Sequence, residues 1–271
     1  MLWANAIWRS YLNYTDDRGY IIPAFNTQQV NYVECARTLA KSLRYQHPHV
    51  KICLLTSENI DDPLFDYVQV VEDLGGYKND WQVYANSPFH ETVKLEADMI
   101  LTGPFEHWWT MFRHYDVYVS TGCKNFQDED SHSKRYRKIF DTNQLPDVYN
   151  AITYWRVSSL AQKFFTTIKN LMNNWSSVQN SLVYGKCEPL NTDLAYAIAI
   201  AFMGEELFTS PDGPKITHMK PAINGLTAED WSKQLVWEII SGQVRLNGFS
   251  QNGFLHYHKK ELARDLGQYY D

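Results

Sequence analysis

The chain has little cysteine, and its cysteines are not spaced in pairs. Only four occur in 271 residues, and no CxxC motif is found among Cys35, Cys53, Cys123 and Cys187. Cys35 and Cys53 also lie in apolar contexts, which is typical of reduced, buried thiols. We expect free thiols in a reducing compartment.

Long apolar runs are also missing. No run reaches the length needed to cross a membrane. The first five residues, MLWAN, are not a basic segment followed by the apolar run of a signal peptide. We therefore expect a cytoplasmic protein without a membrane partner.

An excess of positive charge is absent as well. The chain has 25 Lys and Arg against 31 Asp and Glu, so its net charge is −6. A general nucleic-acid binder needs a surplus of Lys and Arg to contact phosphates, so that class is excluded. A local basic patch for the same purpose stays open.

What the chain does have is apolar and aromatic side chains in quantity. Hydrophobic residues make up 44% and aromatic residues 15%. These fractions and the length predict a globular protein with ample core. The aromatic side chains either form platforms for sugars or bases or fill that core.

Strand and helix patterns alternate along the first third of the chain. Residues 19–25 (GYIIPAF) and 50–56 (VKICLLT) are typical of buried strands, and residues 30–44 between them have helical spacing of apolar residues. A third strand is expected at 67–71. This alternation predicts an α/β fold with a mostly parallel central sheet flanked by helices.

The rest of the chain continues the pattern and is interpreted as part of one domain over residues 1–271. Asn191 or Thr192 is the expected cap of one helix. Residues 123–147 are polar, lack periodicity and are expected to form a long functional insertion. The remaining predicted strands are 92–96, 115–120, 149–157 and 216–218, and the remaining predicted helices are 105–112, 160–175, 193–202 and 228–240.

Two carboxylates stand one residue apart, with apolar residues on both sides. Glu96 and Asp98 lie in the run KLEADMIL at 94–101. In a strand, residues i and i+2 face the same side, so both acids would point at one ligand. Close carboxylates repel unless a cation lies between them, and hard divalent cations suit oxygen ligands. The alternative is a solvated strand end with two incidental acids.

The order of several segments resembles that of the family 8, glycogenin-like glycosyltransferases of the GT-A type. The resemblance begins at LEADMIL (95–101) and also includes FEHWW (105–109), YDVYV (115–119), YNAITYW (149–155), LNTDL (190–194) and FLHYHKK (254–260). It implies a single Rossmann-like GT-A domain. The chain departs from the family pattern in three places: Glu96 replaces an Asp, the Gly of the family's Asn-Ser-Gly is missing, and no Lys-Pro-Trp follows His256.

The resemblance implies a divalent metal, Mn²⁺ or Mg²⁺, and a nucleotide-sugar donor that is UDP-linked. Asp98 is the implied metal ligand, and Glu96 contacts metal or ribose. His256 matches the family's metal histidine, since neutral imidazole suits Mn²⁺. His218 and His258 are the alternatives for that role.

Other matched positions are expected to contact the donor. Phe25, Asn26 and Thr27 end the first strand, where parallel sheets bind ligands, so base and ribose are expected there. Phe25 or Tyr32 would stack on the base, or belong to the core. Asn150 and Asp193 match catalytic positions facing the donor sugar, although Asp193 also suits a helix start.

Basic residues are expected at the diphosphate and at the acceptor. Lys220 and Lys259, or Lys260, would neutralise diphosphate oxygens, or belong to a solvated basic tail. The insertion is expected to bind the acceptor, because residues 124–140 interleave Lys134, Arg135, Arg137 and Lys138 with Tyr136 and Phe140.

The leading acceptor is DNA with a hydroxymethylated base, as modified by phage enzymes in the host cytoplasm. The alternatives are transfer to a bacterial surface glycan or lipid-linked sugar, and a non-catalytic nucleotide-sugar binder. A nucleotidyltransferase would want a glycine-rich loop after the first strand, and FNTQQ at 25–29 has no glycine.

Overall fold

A computed structural model of the chain describes residues 16–131, 137–185, 188–227 and 231–271. Its strands, in chain order, are β1 (Asp16–Pro23), β2 (Ile52–Thr56), β3 (Tyr67–Val70), β4 (Phe89–Leu95), β5 (Met99–Leu101), β6 (Val117–Thr121), β7 (Cys123–Lys124), β8 (Asp130–Ser131), β9 (Val148–Arg156), β10 (Thr217–His218), β11 (Trp237–Ile240), β12 (Gln243–Leu246), β13 (Phe249–Ser250) and β14 (Phe254–His256). Its α-helices are α1 (Tyr32–Gln46), α2 (Gln82–Asn86), α3 (Trp108–Phe112), α4 (Lys138–Thr142), α5 (Ser159–Asn173), α6 (Trp175–Ser181), α7 (Thr192–Met203), α8 (Pro221–Asn224), α9 (Trp231–Gln234) and α10 (Ala263–Gly267).

A six-stranded sheet with the order β3-β2-β1-β4-β9-β6 forms the centre of the fold. β3, β2, β1 and β4 pair in parallel, whereas β9 is antiparallel to both β4 and β6. The predicted α/β architecture with a mostly parallel central sheet is therefore confirmed.

The two faces of this sheet are covered by separate apolar clusters. Along β1, Tyr20 and Ile22 belong to one cluster and Ile21 to the other, as expected for side chains that alternate along a strand. α1 packs on the first face through residues such as Leu39, and α7 packs on the second through residues such as Leu194. The sheet is consequently buried on both sides, which explains the nearly continuous apolar runs of β1 and β2.

A smaller sheet with the order β5-β14-β10-β7-β8 brings distant segments together. β14 pairs antiparallel with β5 and parallel with β10, so His256 lies opposite both Met99 and His218. Met99 directly follows Asp98. This pairing places two histidines beside the acidic segment, although they lie far apart in the sequence.

The helix predicted for 228–240 is wrong in its second half. α9 covers Trp231–Gln234, but Trp237–Ile240 forms β11, which pairs with β12 in a hairpin. Ser241 and Gly242 both have positive φ, at 50° and 74°, as a tight two-residue hairpin turn requires. Residues 228–230 of the predicted helix lie outside the described residues.

The other predicted elements agree with the structure to within a few residues. The expected cap is Asn191, whose side-chain oxygen accepts a hydrogen bond from the Leu194 N–H at 2.8 Å. The described part of the insertion contains β7, β8 and α4 and so is more structured than its sequence suggests. Cys35, Cys53 and Cys123 are buried and form no disulfide with one another, while Cys187 lies outside the described residues. In the described part of the chain, no helix is long and apolar enough to span a membrane.

A buried lysine joins the central strand to its neighbours. The side chain of Lys94 in β4 is 1% exposed, and its Nζ lies 2.7 Å from Asp80 Oδ1 and 3.0 Å from the Asn150 carbonyl oxygen. Asp80 Oδ2 also accepts hydrogen bonds from Asn150 Nδ2 at 3.3 Å and from the Tyr196 hydroxyl. The network therefore ties together β4, β9, α7 and the segment before α2.

We expect Lys94→Met to lower the free energy of unfolding by about 3 kcal/mol, because it leaves the Asp80 carboxylate buried without its cation. Urea denaturation measures the change. Lys124→Met is the matched control, since Lys124 pairs with Asp128 at the surface and should cost less than about 1 kcal/mol. Equal losses in the two variants would contradict this account of Lys94.

We expect Asn191→Ala to lower the free energy of unfolding by about 1 kcal/mol, since the first turn of α7 then loses its side-chain acceptor. Asn191→Ser keeps a capping oxygen and should stay within a few tenths of the wild-type value. Thermal or urea unfolding distinguishes the two variants. A Ser variant as unstable as the Ala variant would show that Asn191 does not act as a cap.

Candidate functional site

A cleft of about 720 Å³ opens at the carboxyl ends of β1 and β4. Open α/β sheets generally bind ligands at this edge. Acidic, basic and aromatic side chains all line this cleft. They include Phe25, Asn26, Thr27, Tyr32, Tyr77, Asp80, Lys94, Glu96, Asp98, Arg137, Tyr149, Asp193, His218, Lys220, His256, His258 and Lys260. Most of the residues that the sequence singles out therefore meet in one place.

The acidic pair lies in a turn and not in a strand. β4 ends at Leu95 and β5 begins at Met99, so Glu96 and Asp98 occupy the bend between them. The expected strand geometry is wrong here, yet the two carboxylates still converge on one side chain. Glu96 Oε2 lies 3.2 Å from His256 Nδ1, and Asp98 Oδ2 lies 2.9 Å from His256 Nε2.

His256 is held from several sides. Its Nδ1 also contacts the Tyr149 hydroxyl, and the Tyr149 ring is nearly parallel to the imidazole. The Tyr257 N–H donates to the Asp98 carbonyl oxygen at 3.2 Å and so fixes the end of β14 against the acidic turn. Because Nδ1 faces Glu96 and Tyr149, Nε2 is the ring nitrogen directed at Asp98.

The environments of Glu96 and Asp98 shift the pKa values of the two carboxyl groups in opposite directions. Burial raises the pKa of Glu96, and His256 and Lys94 oppose this only in part. Burial also acts to raise the pKa of Asp98, but His256, which hydrogen-bonds to it, and Lys260 hold that pKa well below its ordinary value. Asp98 is consequently the acid that stays ionised most firmly, as a metal ligand must.

Lys260 is the second cation at Asp98. Its Nζ lies 2.8 Å from Asp98 Oδ2. Burial lowers the pKa of Lys260, but the interaction with Asp98 more than compensates and raises it. Lys220 also lines the cleft, and burial lowers its pKa. Lys259 points elsewhere, with its Nζ 3.3 Å from the Ser232 hydroxyl, so Lys260 occupies the place expected for Lys259.

Two further histidines extend the cluster around His256. The rings of His256 and His258 are stacked, with centroids 3.8 Å apart, and His258 Nε2 lies 3.0 Å from His218 Nδ1. Burial lowers the pKa of both His218 and His258 well below the usual range, so both imidazoles are neutral.

Asp98, His256 and His258 form a group that could hold a metal ion. One ligand atom of each lies within 4.8 Å of the others. A carboxylate with neutral imidazoles is a donor set that fits divalent transition metals such as Mn²⁺. Glu96 is outside this group and instead faces the far nitrogen of His256.

The residues expected at the nucleotide lie at the mouth of β1. Phe25, Asn26 and Thr27 all line the cleft, as does Tyr32. The Asn26 side chain also accepts a hydrogen bond from the Val33 N–H at 3.1 Å, and Thr27 Oγ1 accepts one from the Val30 N–H at 3.0 Å. These two polar side chains thus fix the loop that leads into α1.

Asp193 and Asn150 occupy different layers of the site. Asp193 lines the cleft, where its Oδ1 accepts from the Asn150 N–H at 2.7 Å and its Oδ2 from Arg137 Nη1 at 2.6 Å. The Asn150 side chain is fully buried and bonds to Asp80 and Thr153. Asn150 therefore supports the wall of the cleft.

Lys94 and Asp80 are cleft residues that were not assigned to the site from the sequence, and Arg137 lies in the cleft although it was expected at the acceptor. Arg137 is one of the basic residues expected to contact DNA, but it binds Asp193 and Asp147 and lies over the Phe140 ring at 3.9 Å. Phe140 is fully buried. Residues 132–136 lie outside the described residues. A lysine two residues before an acid in a buried strand was the available signal for Lys94.

Among solved structures, the fold is similar to that of the galactosyltransferase LgtC in complex with donor and acceptor sugar analogs. The TM-score is 0.54 at 9% identity, covering 94% of this chain and 95% of that one. GlyE of Streptococcus pneumoniae TIGR4 (TM-score 0.45, 11% identity, 73% of this chain and 46% of that chain) and mouse xyloside xylosyltransferase 1 (0.41, 10%, 72% and 84%) are less similar.

The chain spans less than half the length of the GlyE structure. No protein-family model and no curated protein sequence matches it. At 9% identity the likeness to LgtC concerns the fold alone. The likeness to LgtC and the order of the strands in the central sheet together show that the chain has the fold of the GT-A-type glycosyltransferases.

Proposed function

We propose that the protein is a metal-dependent glycosyltransferase that moves a sugar from a UDP-linked donor to an acceptor hydroxyl. The observation that carries the proposal is the meeting of Asp98 and His256, with Nε2 and Oδ2 2.9 Å apart, at the carboxyl edge of a GT-A-type sheet. This is the edge at which an α/β fold binds nucleotides. The complex of LgtC with donor and acceptor sugar analogs supports the same use of the fold.

Asp98 and His256 would hold the cation through one carboxylate oxygen and Nε2. A bound Mn²⁺ or Mg²⁺ neutralises charge on the diphosphate and so stabilises the leaving nucleotide. Glu96 and Tyr149 face His256 Nδ1 and keep the other ring nitrogen directed at Asp98. Such partners fix the orientation of a ligating imidazole.

The remaining cleft residues would contact different parts of the donor. Phe25 and Tyr32 offer aromatic faces for the base, next to Asn26 and Thr27. Lys260 and Lys220 offer ammonium groups for the diphosphate oxygens. Since all of these residues line one cleft, a nucleotide diphosphate could contact them together.

Asp193 would face the sugar, supported by Asn150 and Arg137 behind and beside it. In the reaction, the bond between the anomeric carbon and the diphosphate oxygen would break and the nucleotide diphosphate would leave. The acceptor oxygen would bond to that carbon, and its proton would pass to the departing diphosphate. Asp193 is placed to orient a sugar hydroxyl or to stabilise positive charge at the anomeric carbon.

For the acceptor we propose a hydroxymethylated base in DNA, bound at the insertion of residues 123–147 in a single domain. Lys138 is exposed and directly follows Arg137, which lines the cleft. Arg137 and Phe140 take no part in this contact, because both are engaged within the protein. Among the described residues of the insertion, the contact would therefore use Lys138.

We expect Asp98→Asn to lower Mn²⁺-dependent hydrolysis of UDP-sugars by at least about 100-fold, because the cation loses its only carboxylate at the His256 nitrogen. Released UDP is measured across a panel of donors, with Mn²⁺, with Mg²⁺ and with a chelator. Asp265→Asn, on the exposed face of α10, is the control and should keep full activity. Unchanged, metal-dependent hydrolysis by Asp98→Asn would place the metal elsewhere.

We expect DNA containing hydroxymethylcytosine to gain the mass of one sugar residue per modified base when incubated with the protein, Mn²⁺ and UDP-sugars. Mass spectrometry of the digested nucleosides reads this directly, and unmodified cytosine DNA is the control. Donor hydrolysis without any gain in the mass of the DNA would refute DNA as the acceptor and favour a surface glycan or lipid-linked sugar. Donor binding without hydrolysis would indicate a nucleotide-sugar binder.

A further inference from the structure

His258 has a backbone conformation that a histidine seldom adopts. Its φ is 58°, in the left-handed region, where a residue with a Cβ is disfavoured by about 1 to 2 kcal/mol. The surrounding contacts hold the ring against His256 and His218 despite this cost. Backbone strain of this kind is concentrated at functional sites, and here it aims an imidazole into the cleft.

The hydrogen bonds around His218 determine which nitrogen of His258 carries its proton. The Lys220 backbone N–H donates to His218 Nδ1 at 3.2 Å, so this nitrogen must be an acceptor. His258 Nε2 lies 3.0 Å from the same nitrogen and can bond to it only by donating its own proton. A neutral His258 therefore keeps the lone pair on Nδ1.

His218 itself is left with a buried donor. Because its Nδ1 accepts, the proton of the neutral ring is on Nε2, and that atom has no hydrogen-bond partner among the described residues. The His218 side chain is fully buried. The side chain of His218 is thus bonded through Nδ1 alone, and its bond to His258 Nε2 is the contact by which His218 orients His258.

His256 shows the same arrangement on the other side of the cluster. Glu96 and Tyr149 contact its Nδ1, and Nε2 faces Asp98. Each of the two stacked imidazoles thus has one nitrogen held by a neighbouring group, and the second nitrogen of His256 pairs with Asp98, where a cation would lie between the two ligand atoms. Imidazoles that ligate metals are usually oriented in this way.

We propose that His258 is a third metal ligand, through Nδ1, beside Asp98 and His256. The inference rests on the metal site of the proposed function, but it does not depend on the transfer reaction. The three residues already bring one ligand atom each within 4.8 Å of the others. His218 is the positioning residue that fixes the tautomer of His258.

A site with two imidazoles and one carboxylate has a definite metal preference. Mg²⁺ demands oxygen ligands, whereas imidazole nitrogen suits Mn²⁺, Co²⁺ and Zn²⁺. With His258 as a ligand, the site discriminates against Mg²⁺. Of the two cations that the family resemblance implies, the inference therefore selects Mn²⁺, and it adds Co²⁺ and Zn²⁺ as further cations that the site would bind.

Direct metal binding tests the proposal without any donor or acceptor. Co²⁺ and Mg²⁺ are titrated into the purified, metal-free protein by calorimetry, and electron spin-echo modulation of bound Mn²⁺ reports the ligating imidazole nitrogens. We expect signals from two imidazoles in the wild type. His258→Phe, which keeps a ring to stack on His256, should bind Co²⁺ at least about 10-fold more weakly and show one imidazole.

Three further variants sharpen the test. His258→Asn tolerates the left-handed backbone, so it should fold if the Phe variant does not, and it should show the same loss. His218→Phe keeps His258 but removes the group that fixes its tautomer, and Co²⁺ affinity should fall by a smaller factor. His114→Phe, at an exposed position, should bind as the wild type does.

Two outcomes would overturn the proposal: Co²⁺ affinity unchanged in both His258 variants, or a spectrum of one imidazole in the wild type. A protein that shows two imidazoles but does not hydrolyse any UDP-sugar would support the metal site and refute the proposed function. A protein that transfers sugar with Mg²⁺ as well as with Mn²⁺ and shows one imidazole would support the proposed function and refute His258 as a metal ligand.

Discussion

The repulsion between the carboxylates that line the cleft is the constraint around which the site is organised. Asp80, Glu96, Asp98 and Asp193 share a space of about 720 Å³, where charges interact far more strongly than in water. Each is matched by a cation or by strong donors: Lys94 at Asp80, His256 and Lys260 at Asp98, and Arg137 at Asp193. Glu96 has the weakest compensation, which agrees with its raised pKa. Most carboxylates in the cleft are thus paired with a basic side chain. A divalent cation and a diphosphate would add one more pair of opposite charges.

The fold delivers these charges from segments that are distant in sequence. The central sheet supplies Lys94 and the turn with Glu96 and Asp98, because β4 ends at the ligand-binding edge. The smaller sheet supplies the histidines, because β14 lies between β5 and β10 in the hydrogen-bonded order. The register that sets His256 opposite Met99 is fixed by backbone pairing over Phe254–His256, and both strands are fully buried. A slip of one residue would turn His256 away from Asp98, so the site depends on apolar packing as much as on its charges.

Most of the fold could be predicted from periodicity, whereas only part of the site could. The strands β1 and β2 and the helix between them have strong, unambiguous patterns, and the structure confirms them. The helix expected over 228–240 is wrong at Trp237–Ile240, because the hairpin is closed by the Ser241–Gly242 turn and local apolar spacing does not report that pairing. For the same reason Asp80 was not recognised and Arg137 was expected at the acceptor: their contacts with Lys94 and Asp193 are long-range, and no motif encodes them. The acidic pair could be found because both acids follow one buried strand, although they lie in a turn and not in the strand itself.

The same geometry explains why a glutamate can stand at position 96. Asp98 approaches His256 at Nε2, while the residue two positions earlier must reach the opposite nitrogen of the same ring. Glutamate has one methylene more than aspartate, and its Oε2 lies 3.2 Å from Nδ1. An aspartate at this position would fall short of Nδ1 unless the turn moved closer. Under the proposed function, Asp98 would contact the cation and Glu96 would orient the imidazole of His256 beside it. The two acids resemble a matched pair in the sequence, but in the structure they act on the two sides of one histidine.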